Sequence, residues 1–498
     1  MIDNSLWPLL IIASSLVPAI LIFFIPENSR FLRSAVNIGG ALIKLQLVVL
    51  LVLGIYAGEV YELSWQLLPG LDFRLQIDGL AVMFLLLSAF LWLLTTIYAI
   101  GYLENSPNRA RFFGFFTLCV SATAGVAMAG NLFTFVVFYE LLTLATWPLV
   151  VHRGTEKAIA AGRVYLRYTL IGGGALLFGT VLLHSFAGTP SFEPGGYLSA
   201  IDLPSWVLWS VFVLLMAGLG VKAALVPFHS WLPQAMVAPA PVSALLHAVA
   251  VVKAGAFGIV RVMFEVYGIE YADALGMAFV LLVLASLTIV YGSVRALYQT
   301  DIKKRLAFST VSQVSYVALG IALAGPMGAI GGLIHIAHQG LMKITLFMTA
   351  GNFAETLGVH KINQLNGIGQ RMPWTTMAFT LAALGMIGLP PMVGFLSKWY
   401  LGIGAWEVGA YWVMAVLFAS SLLNAAYFLP MIYRAWFLPA PAEWPNERRL
   451  SPHCETHWML LVPPLVTAFT VVALGLVAGF ALGTLGWVQW LVEQEFVQ

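Results

Sequence analysis

The sequence predicts an all-α polytopic membrane protein that forms one membrane domain over residues 1–498. Hydrophobic residues make up 60% of the chain and charged residues only 9%, with a mean hydropathy of +0.91. Soluble domains are about half apolar and a quarter charged. Apolar runs long enough to cross a bilayer recur along the whole chain, so we predict about 14 transmembrane helices. Numbered helix 1 to helix 14, they lie near residues 6–26, 34–58, 79–100, 110–129, 131–151, 163–187, 206–226, 241–266, 274–292, 302–323, 327–350, 375–400, 408–433 and 457–488.

The first apolar run and the cysteines exclude two other interpretations. Residues 6–26 have no basic segment before them and no small-residue cleavage site after them, so we interpret them as a true helix and expect the whole chain to be mature protein. Cys119 and Cys454 are too few and too far apart for an iron–sulfur or zinc site. We therefore expect no cofactor and no metal, and redox chemistry would belong to partner subunits.

Charged residues are sorted between alternate connections. Acidic residues lie mainly after even-numbered helices, with Arg74 as the main basic exception. By the positive-inside rule, the connections after odd-numbered helices face the cytoplasm, which puts both termini on the outer side of a prokaryotic inner membrane. The basic residues after odd-numbered helices are Arg30, Arg33, Arg109, Arg111, Arg153, Lys157, Arg163, Arg295, Lys303, Lys304, Arg305, Lys361, Arg371, Arg434, Arg448 and Arg449.

Two predicted helices are interrupted in similar ways. The stretches 218-GLGVKAALVPFHSWLP-233 and 385-GMIGLPPMVGFLSKWY-400 place glycine and proline at mid-membrane depth, which predicts that helices 7 and 12 are broken. Broken helices at corresponding positions of two halves indicate an inverted-repeat transporter. Alternatively, the prolines only kink two packing helices. We expect helices 1 to 3 in residues 1–105, two inverted five-helix repeats in 106–268 and 269–436, and helix 14 in 437–498.

Several ionisable residues fall within the predicted helices. Glu140 lies in 136-VVFYELLTLATWPLV-150, among aliphatic, aromatic and hydroxyl residues. An ionisable group at this depth costs from about 2.5 kcal/mol upward, so such groups are usually functional. A lysine that gains and loses a carboxylate partner can switch between proton uptake and release. The lysines at bilayer depth are Lys44, Lys222, Lys253, Lys343 and Lys398. We therefore predict a proton relay built from Glu140 and from these lysines other than Lys44.

Some of these groups have simpler interpretations. Lys44 has no obvious partner and lies near neither break, so we expect a packing or subunit-contact role. Arg261 lies near a helix end and could snorkel to the surface. Lys343 and His335 are eight residues apart, about 12 Å along one helix face, which suits a relay. His338 lies off that face, and we expect a buried histidine with satisfied hydrogen bonds. Ordinary helix–helix hydrogen bonding explains most of the hydroxyl residues nearby.

Four motifs carry a family resemblance. The stretch 222-KAALVPFHSWLPQAMVAPAPVSALLHAVAVVKAG-255 closely resembles the antiporter-like subunits shared by respiratory complex I, group 4 membrane-bound hydrogenases and Mrp-type cation/proton antiporters. The stretches 301-DIKKRLAFSTVSQVSY-316, 339-QGLMKITLF-347 and 394-GFLSKWY-400 extend the resemblance over roughly residues 75–435. It implies fourteen helices with two inverted five-helix repeats.

The resemblance also implies residue roles. Glu140 would form a switchable pair with Lys222, and Lys398 would lead toward the outlet on the far side. The remaining relay residues would be Lys253 in helix 8, His247 in the adjoining connection, and Lys343 with His335 in helix 11. One departure is Gln339, because many members carry a histidine four residues before the helix-11 lysine, and glutamine cannot titrate.

These patterns predict a proton-translocating subunit of a multisubunit Mrp-type Na+/proton antiporter, working with other hydrophobic subunits and without nucleic acid. The chain stops at Gln498 without a long lateral helix, and Lys398 stands where another subunit type has glutamate, which favours an Mrp D subunit or a hydrogenase-type subunit. The alternative is a subunit of a redox-driven complex, either NADH:quinone oxidoreductase or hydrogenase. A scaffold that has lost transport is disfavoured by the buried charges. No motif assigns the coupling cation.

Overall fold

The computed structural model describes residues 3–103, 106–448, 454–480 and 483–496. Within these ranges, 11 helices are long and apolar enough to cross a membrane. They confirm the predicted helices 1 to 9 and 13, and the first part of the run predicted for helix 14. They are Asn4–Phe24, whose first residues form a 3-10 turn, Arg30–Tyr56, Gly79–Tyr102, Arg109–Met128, Leu132–Val150, Glu156–Ala187, Ser205–Val237, Ala240–Tyr267, Met277–Leu297, Tyr411–Phe437 and Trp458–Leu476.

The predicted helices 10, 11 and 12 are also helical, although they are not among the 11 helices long and apolar enough to cross a membrane. Helix 10 is Ile302–Ala322, helix 11 is Pro326–Leu357, and helix 12 consists of Pro373–Ile387 and Val393–Glu407. Helices 10 and 11 carry many hydroxyl, amide and basic residues, which lowers their hydropathy, and the halves of helix 12 are short. The predicted polytopic, mostly helical fold is therefore confirmed.

Helix 8 lies at the centre of the bundle. The apolar part of helix 8 is 100% buried by other parts of the protein, whereas helices 2, 6, 13 and 14 are buried over only 28–33% of the corresponding stretch. Helices 10 and 11 are also buried over almost their whole length. The helices that carry the most polar side chains are thus surrounded by protein, because lipid cannot satisfy buried polar groups.

The predicted break in helix 7 is confirmed. The regular helix ends at Ala223, and Ala224 has a left-handed backbone with φ of 57°. The carbonyls freed by the break find donors nearby: Leu225 N donates to Gly220 O at 2.9 Å, and Trp231 Nε1 donates to Val221 O at 2.7 Å. The chain continues through the short turns Phe228–Ser230, Trp231–Gln234 and Ala235–Val237.

The predicted break in helix 12 is also confirmed. Its first half ends at Ile387, Gly388 follows with φ of 96°, and the second half begins at Val393. Asn424 of helix 13 donates from Nδ2 to the Met386 carbonyl at 3.1 Å. At both breaks, side chains of the protein thus satisfy freed backbone groups.

Helices 8 and 14 differ from the predicted runs. Helix 8 consists of Ala240–Ala248 and Val251–Arg261, followed by a π-helical turn, Val262–Tyr267. Valine and alanine occupy positions 249 and 250, so no residue type signals this break. The single run predicted at 457–488 is wrong, because helix 14 ends at Leu476 and a separate helix spans Thr484–Phe496. Gly479 and Gly483 lie between the two helices, and glycine disfavours helix continuation.

The remaining elements lie in the connections. A two-stranded antiparallel hairpin, β1 (Tyr61–Leu68) and β2 (Leu71–Ile77), fills the polar connection between helices 2 and 3, to which we assigned no regular structure. Asp78 directly follows β2 and caps helix 3, accepting a hydrogen bond from Ala81 N at 2.7 Å. Short helical pieces also span Leu198–Ala200, Ile269–Ala274, Ile362–Gln364 and Ile368–Arg371. The division into two inverted repeats stays a prediction.

Candidate functional site

The helices that carry the predicted relay pack against one another in sequence. Helix 5 packs on helix 6, helix 6 on helix 7, and helix 7 on the second half of helix 8. That half of helix 8 packs on helix 10, helix 10 on helix 11, and helix 11 on the second half of helix 12. An uninterrupted series of helix contacts therefore joins the helix of Glu140 to the helix of Lys398.

Glu140 and Lys222 lie at adjacent positions in the first half of this series. The Glu140 carboxylate lies over Gly173 of helix 6, where a β-carbon would overlap Oε1 and lie 2.9 Å from Oε2. Oε1 is buried without a hydrogen-bond partner among the residues that the structure describes. Lys222 is completely buried, and its ammonium donates to the carbonyl of Tyr139, the residue directly before Glu140. The two charged groups thus meet at the same turn of helix 5.

Lys222 and Glu140 make no direct ion pair in the described structure. The Lys222 ammonium lies 3.3 Å from the centroid of the Tyr139 ring, and the Tyr139 hydroxyl donates to Gly218 O at 3.0 Å. Tyr139 therefore contacts the Lys222 ammonium with both its carbonyl and its ring. Its hydroxyl joins helix 5 to helix 7. The stem of a lysine side chain is flexible, which allows its ammonium to change partners.

The hydroxyl residues around this pair bond mainly to their own helix. Thr143 Oγ1 donates to Tyr139 O at 3.3 Å, and Thr146 Oγ1 donates to Leu142 O at 2.7 Å. Cys119 Sγ lies 3.4 Å from Thr146 Oγ1. These two hydroxyls therefore bond to carbonyls of their own helix, whereas we expected hydrogen bonds between helices.

Lys253 and His247 lie on opposite sides of the break in helix 8. Both are completely buried, and neither the Lys253 ammonium nor either ring nitrogen of His247 has a hydrogen-bond partner among the described residues. The His247 ring stacks on Phe347 of helix 11, with centroids 4.4 Å apart. His247 therefore bridges helix 8 to the turn of helix 11 that follows Lys343.

Helix 8 approaches helix 7 closely at the level of Lys222. A β-carbon on Gly255 would lie 2.7 Å from Leu219 O and 2.8 Å from the carbonyl carbon of Lys222. Only glycine allows this backbone contact. The segment that carries Lys253 is thus fixed directly against the end of helix 7 that carries Lys222.

Lys343 and His335 share helix 11 but have different surroundings. The Lys343 ammonium donates to Ser309 Oγ and, at 3.2 Å, to Leu306 O, both on helix 10. The His335 ring lies 5.1 Å from the ring of Tyr316, and its nitrogens lack hydrogen-bond partners in the described part of the chain. The side-chain amides of Gln313 and Gln339 are likewise buried without partners.

Tyr316 is a residue of this site that the sequence analysis missed. Its ring lies between His335 and Lys398, whose ammonium is 5.8 Å from the ring centroid. Its hydroxyl is buried without a hydrogen-bond partner among the described residues. The only signal was its place at the end of the motif 301-DIKKRLAFSTVSQVSY-316, because a tyrosine in an apolar helix is ordinarily a packing residue.

Lys398 is bonded within its own broken helix. Its ammonium donates to Ile387 O at 2.7 Å, to Met386 O at 3.2 Å and to Ser421 Oγ at 2.9 Å. His338, expected to be satisfied, has both nitrogens occupied: Nδ1 lies 3.0 Å from Ser397 Oγ and Nε2 lies 2.9 Å from Thr484 Oγ1. His338 thereby connects helix 12 to the last helix of the chain.

The expectation for Arg261 is wrong, and Lys44 has partners that the sequence did not reveal. Lys44 has partners within the chain, donating to Ser15 Oγ at 3.0 Å and to Val120 O at 3.5 Å. Arg261 does not snorkel: its side chain is 1% exposed and is bonded to Asp78 and Glu265. Glu265 lies only four residues from Arg261, but the partners Asp78, Ser15 and Val120 come from distant segments that spacing along one helix could not reveal. No group of three histidine, cysteine or carboxylate side chains in the described residues could hold a metal ion.

Comparison with known proteins gives one dominant family. The model described as "NADH:quinone oxidoreductase/Mrp antiporter, TM" matches residues 129–424, and a second, described as the N-terminus of chain 5 of complex I, matches residues 69–113. NADH-quinone oxidoreductase subunit N of Desulforudis audaxviator is 37% identical over 431 residues, covering 84% of each chain. Na+/H+ antiporter subunit A1 of Staphylococcus haemolyticus is 30% identical and covers 84% of this chain.

The fold likeness is equally extensive. A chain of the Mrp complex from Dietzia sp. has a TM-score of 0.86 at 23% identity, covering 100% of this chain and 98% of that chain. Apart from subunit N, the chain spans about half the length of the curated relatives it matches, with 54% of the Staphylococcus haemolyticus subunit covered. The resemblance found from the motifs is confirmed.

Proposed function

The chain belongs to the NADH:quinone oxidoreductase/Mrp antiporter transmembrane family, and from this we propose that it is the proton-translocating subunit of a multisubunit Mrp-type Na+/proton antiporter. Protons would move along Glu140, Lys222, Lys253, Lys343 and Lys398, with His247 and His335 as further stations. The work of such a subunit is to move charge through a bilayer.

The observation that carries the proposal is the arrangement of Lys222 and Glu140. The Lys222 ammonium is bonded to the carbonyl next to Glu140, while Glu140 Oε1 remains without a hydrogen bond. A lysine paired with a carboxylate favours its charged form, and a buried lysine without that partner favours the neutral form. Movement of the ammonium between the two positions would therefore load and unload a proton.

The remaining stations are supported by their burial and by their helix contacts. Lys253 and His247 are completely buried without hydrogen-bond partners in the described residues, so water or a transient partner must satisfy them. Tyr316 stands between His335 and Lys398 and adds a hydroxyl that can both donate and accept. This supplies a route past Gln339, which cannot titrate.

The proposal includes the surroundings of the chain. We place it in the cytoplasmic membrane of a prokaryote with both termini on the outer side, among other hydrophobic subunits. The two inverted five-helix repeats, 106–268 and 269–436, would present their broken helices 7 and 12 to the relay. Na+ would be the exchanged cation, as in the name of the related antiporter subunit.

The pair can be tested in the assembled complex. Glu140→Gln keeps the size of the side chain but removes its charge and its ability to titrate, so proton transport in membrane vesicles should fall at least about a hundredfold. Lys222→Ala should do the same. Glu156→Gln, in the exposed first turn of helix 6, is the matched control and should transport normally. Full transport by both Glu140→Gln and Lys222→Ala would remove the pair from the mechanism.

A second candidate is a proton-pumping subunit of a redox-driven complex. It is favoured by the similarity to subunit N, which covers 84% of both chains. Gentle purification from the native membrane, with identification of the co-purifying proteins and metal analysis, separates the two. Small hydrophobic partners without iron support the antiporter, whereas iron–sulfur partners establish the redox pump.

A further inference from the structure

An ion-bonded cluster outside the relay lies where helices 3 and 8 meet. Arg261, at the end of helix 8, donates from Nη1 to Asp78 Oδ2 at 2.5 Å and from Nη2 to Asp78 Oδ1 at 3.1 Å. The same Nη1 is bonded to Glu265, one turn later in the π-helical segment. Two carboxylates share one guanidinium, so the cluster carries a net charge of −1 when both are ionised.

The cluster extends from the protein interior to its surface. The Arg261 side chain is 1% exposed, Glu265 is 10% exposed, and Asp78 is 30% exposed at the base of the hairpin. The guanidinium also lies 5.1 Å from the Phe257 ring and donates to Ala127 O at 3.2 Å. Because arginine keeps its proton in proteins, only the two carboxylates can take one up.

Two contacts join helix 3 to the second half of helix 8. Asp78 meets Arg261 at one end, and six residues further along helix 3 the ring of Phe84 stacks on Phe257, with centroids 4.8 Å apart. Ser88 follows Phe84 by four residues on helix 3, and Lys253 precedes Phe257 by four residues on helix 8. Both Ser88 Oγ and the Lys253 ammonium are buried without hydrogen-bond partners among the described residues.

We propose that Asp78 and Glu265, held by Arg261, form a proton outlet for Lys253 within the first repeat, with the Ser88 hydroxyl on the route. In this step an N–H bond of the Lys253 ammonium breaks and an O–H bond forms on one carboxylate. The lysine becomes a neutral amine, the cluster becomes neutral, and Asp78 releases the proton to water beside the hairpin. Lys253 and Arg261 are about 12 Å apart along helix 8, a distance that a hydroxyl and water bridge.

The outlet rests on the proposed function, because it requires Lys253 to carry a proton. It differs from a purely structural role, in which Arg261 only ties the ends of helices 3, 4 and 8 together. A purely structural role requires that Asp78 and Glu265 accept hydrogen bonds from Arg261, but it does not require that either carboxylate takes up a proton. Neutral isosteric variants separate the two roles.

The test uses the complete membrane complex in vesicles with a pH-sensitive dye. Glu265→Gln and Asp78→Asn should each lower proton transport per assembled complex by about tenfold or more, because an amide cannot accept the proton. Glu265→Asp, which keeps a titratable group, should retain most of the transport. Asp72→Asn and Glu270→Gln change exposed residues of the same two connections and should leave transport unchanged.

Two outcomes overturn the outlet. Either transport per assembled complex is unchanged in both neutral variants, or only the amount and thermal stability of the complex fall. Glu140→Gln, measured beside them, keeps the two proposals apart. If Glu140→Gln stops transport while Glu265→Gln and Asp78→Asn do not, only the outlet fails, and if none of the three has an effect, the relay fails as well.

Discussion

The two broken helices use their lysines in different ways. At the first break, Lys222 reaches across to the Tyr139 carbonyl on helix 5, and the freed Val221 carbonyl is bonded by the indole of Trp231. At the second break, Lys398 itself bonds the freed carbonyls of Met386 and Ile387. In sequence both are lysines beside a proline break, yet one is directed at another helix and the other closes its own helix end.

Because of this difference, we expect the two lysines to contribute differently to proton transport and to the stability of the protein. Lys222 bonds a neighbouring helix beside a carboxylate. It can therefore move without leaving the freed carbonyls of its own helix break unsatisfied. A lysine that satisfies the last carbonyls of a helix also interacts favourably with the negative end of the helix dipole, so moving it costs stability. We therefore expect the first break to respond to mutation mainly in transport and the second in both.

The largest effect should come from comparing Lys398→Met with Lys222→Met. Lys398→Met leaves the Ile387 carbonyl without its donor, and we expect a loss of about 3 kcal/mol of stability. Lys222→Met removes a buried charge while Tyr139 O keeps the hydroxyl of Thr143, so its loss should be smaller. Thermal denaturation of the purified complexes measures both. Equal losses would show that the two breaks do not differ as described.

A somewhat smaller effect should follow from Gly255→Ala. The added β-carbon would meet the backbone at Leu219 and Lys222, which cannot move aside, so we expect a destabilisation of about 2 kcal/mol. Gly402→Ala in helix 12 is the control, since its β-carbon meets nothing within 4 Å. If both variants have the same melting temperature, the close packing of helix 8 against helix 7 does not stabilise the first break.

Gly173→Ala tests the position of the Glu140 carboxylate. The β-carbon would overlap Oε1 and displace the carboxylate from helix 6, so transport should fall about tenfold, the equivalent of about 1.4 kcal/mol. The neighbouring Gly174→Ala, with open space around it, should transport normally. Helix stability should not fall in either variant, because alanine favours helix over glycine. Normal transport by Gly173→Ala would show that this carboxylate position is not required.

The smallest effect concerns His152, just beyond the end of helix 5. Partial burial, with the charges of Arg111 and Arg153, lowers its pKa to about 4 from the ordinary 6.5. The folded protein thus binds fewer protons here than the unfolded chain, so stability should be lost as the pH falls from 6.5 toward 4. His152→Gln should show a slightly weaker acid dependence of its melting temperature than the wild type. An identical pH profile would contradict this assignment.

The residue types alone predicted two breaks in the helices and the buried charges. Glycine and proline predicted both breaks, because they interrupt helix hydrogen bonding wherever they occur. Lysines and a glutamate in apolar runs stood out because hydrocarbon does not tolerate them without a reason. The break in helix 8 could not be predicted, since valine and alanine at positions 249 and 250 are compatible with helix and only the packing around them ends it.

Partner choice was decided by tertiary structure. Arg261 was expected at the surface, and the fold instead brings Asp78 to it from a position 183 residues away. Lys44 was expected to lack partners, and helices 1 and 4 supply them. The sequence by itself determined which groups must be satisfied inside the membrane, because burial cost depends on residue type. Which group satisfies which depends on helix packing, because hydrogen bonds and ion pairs require contact within about 3 Å.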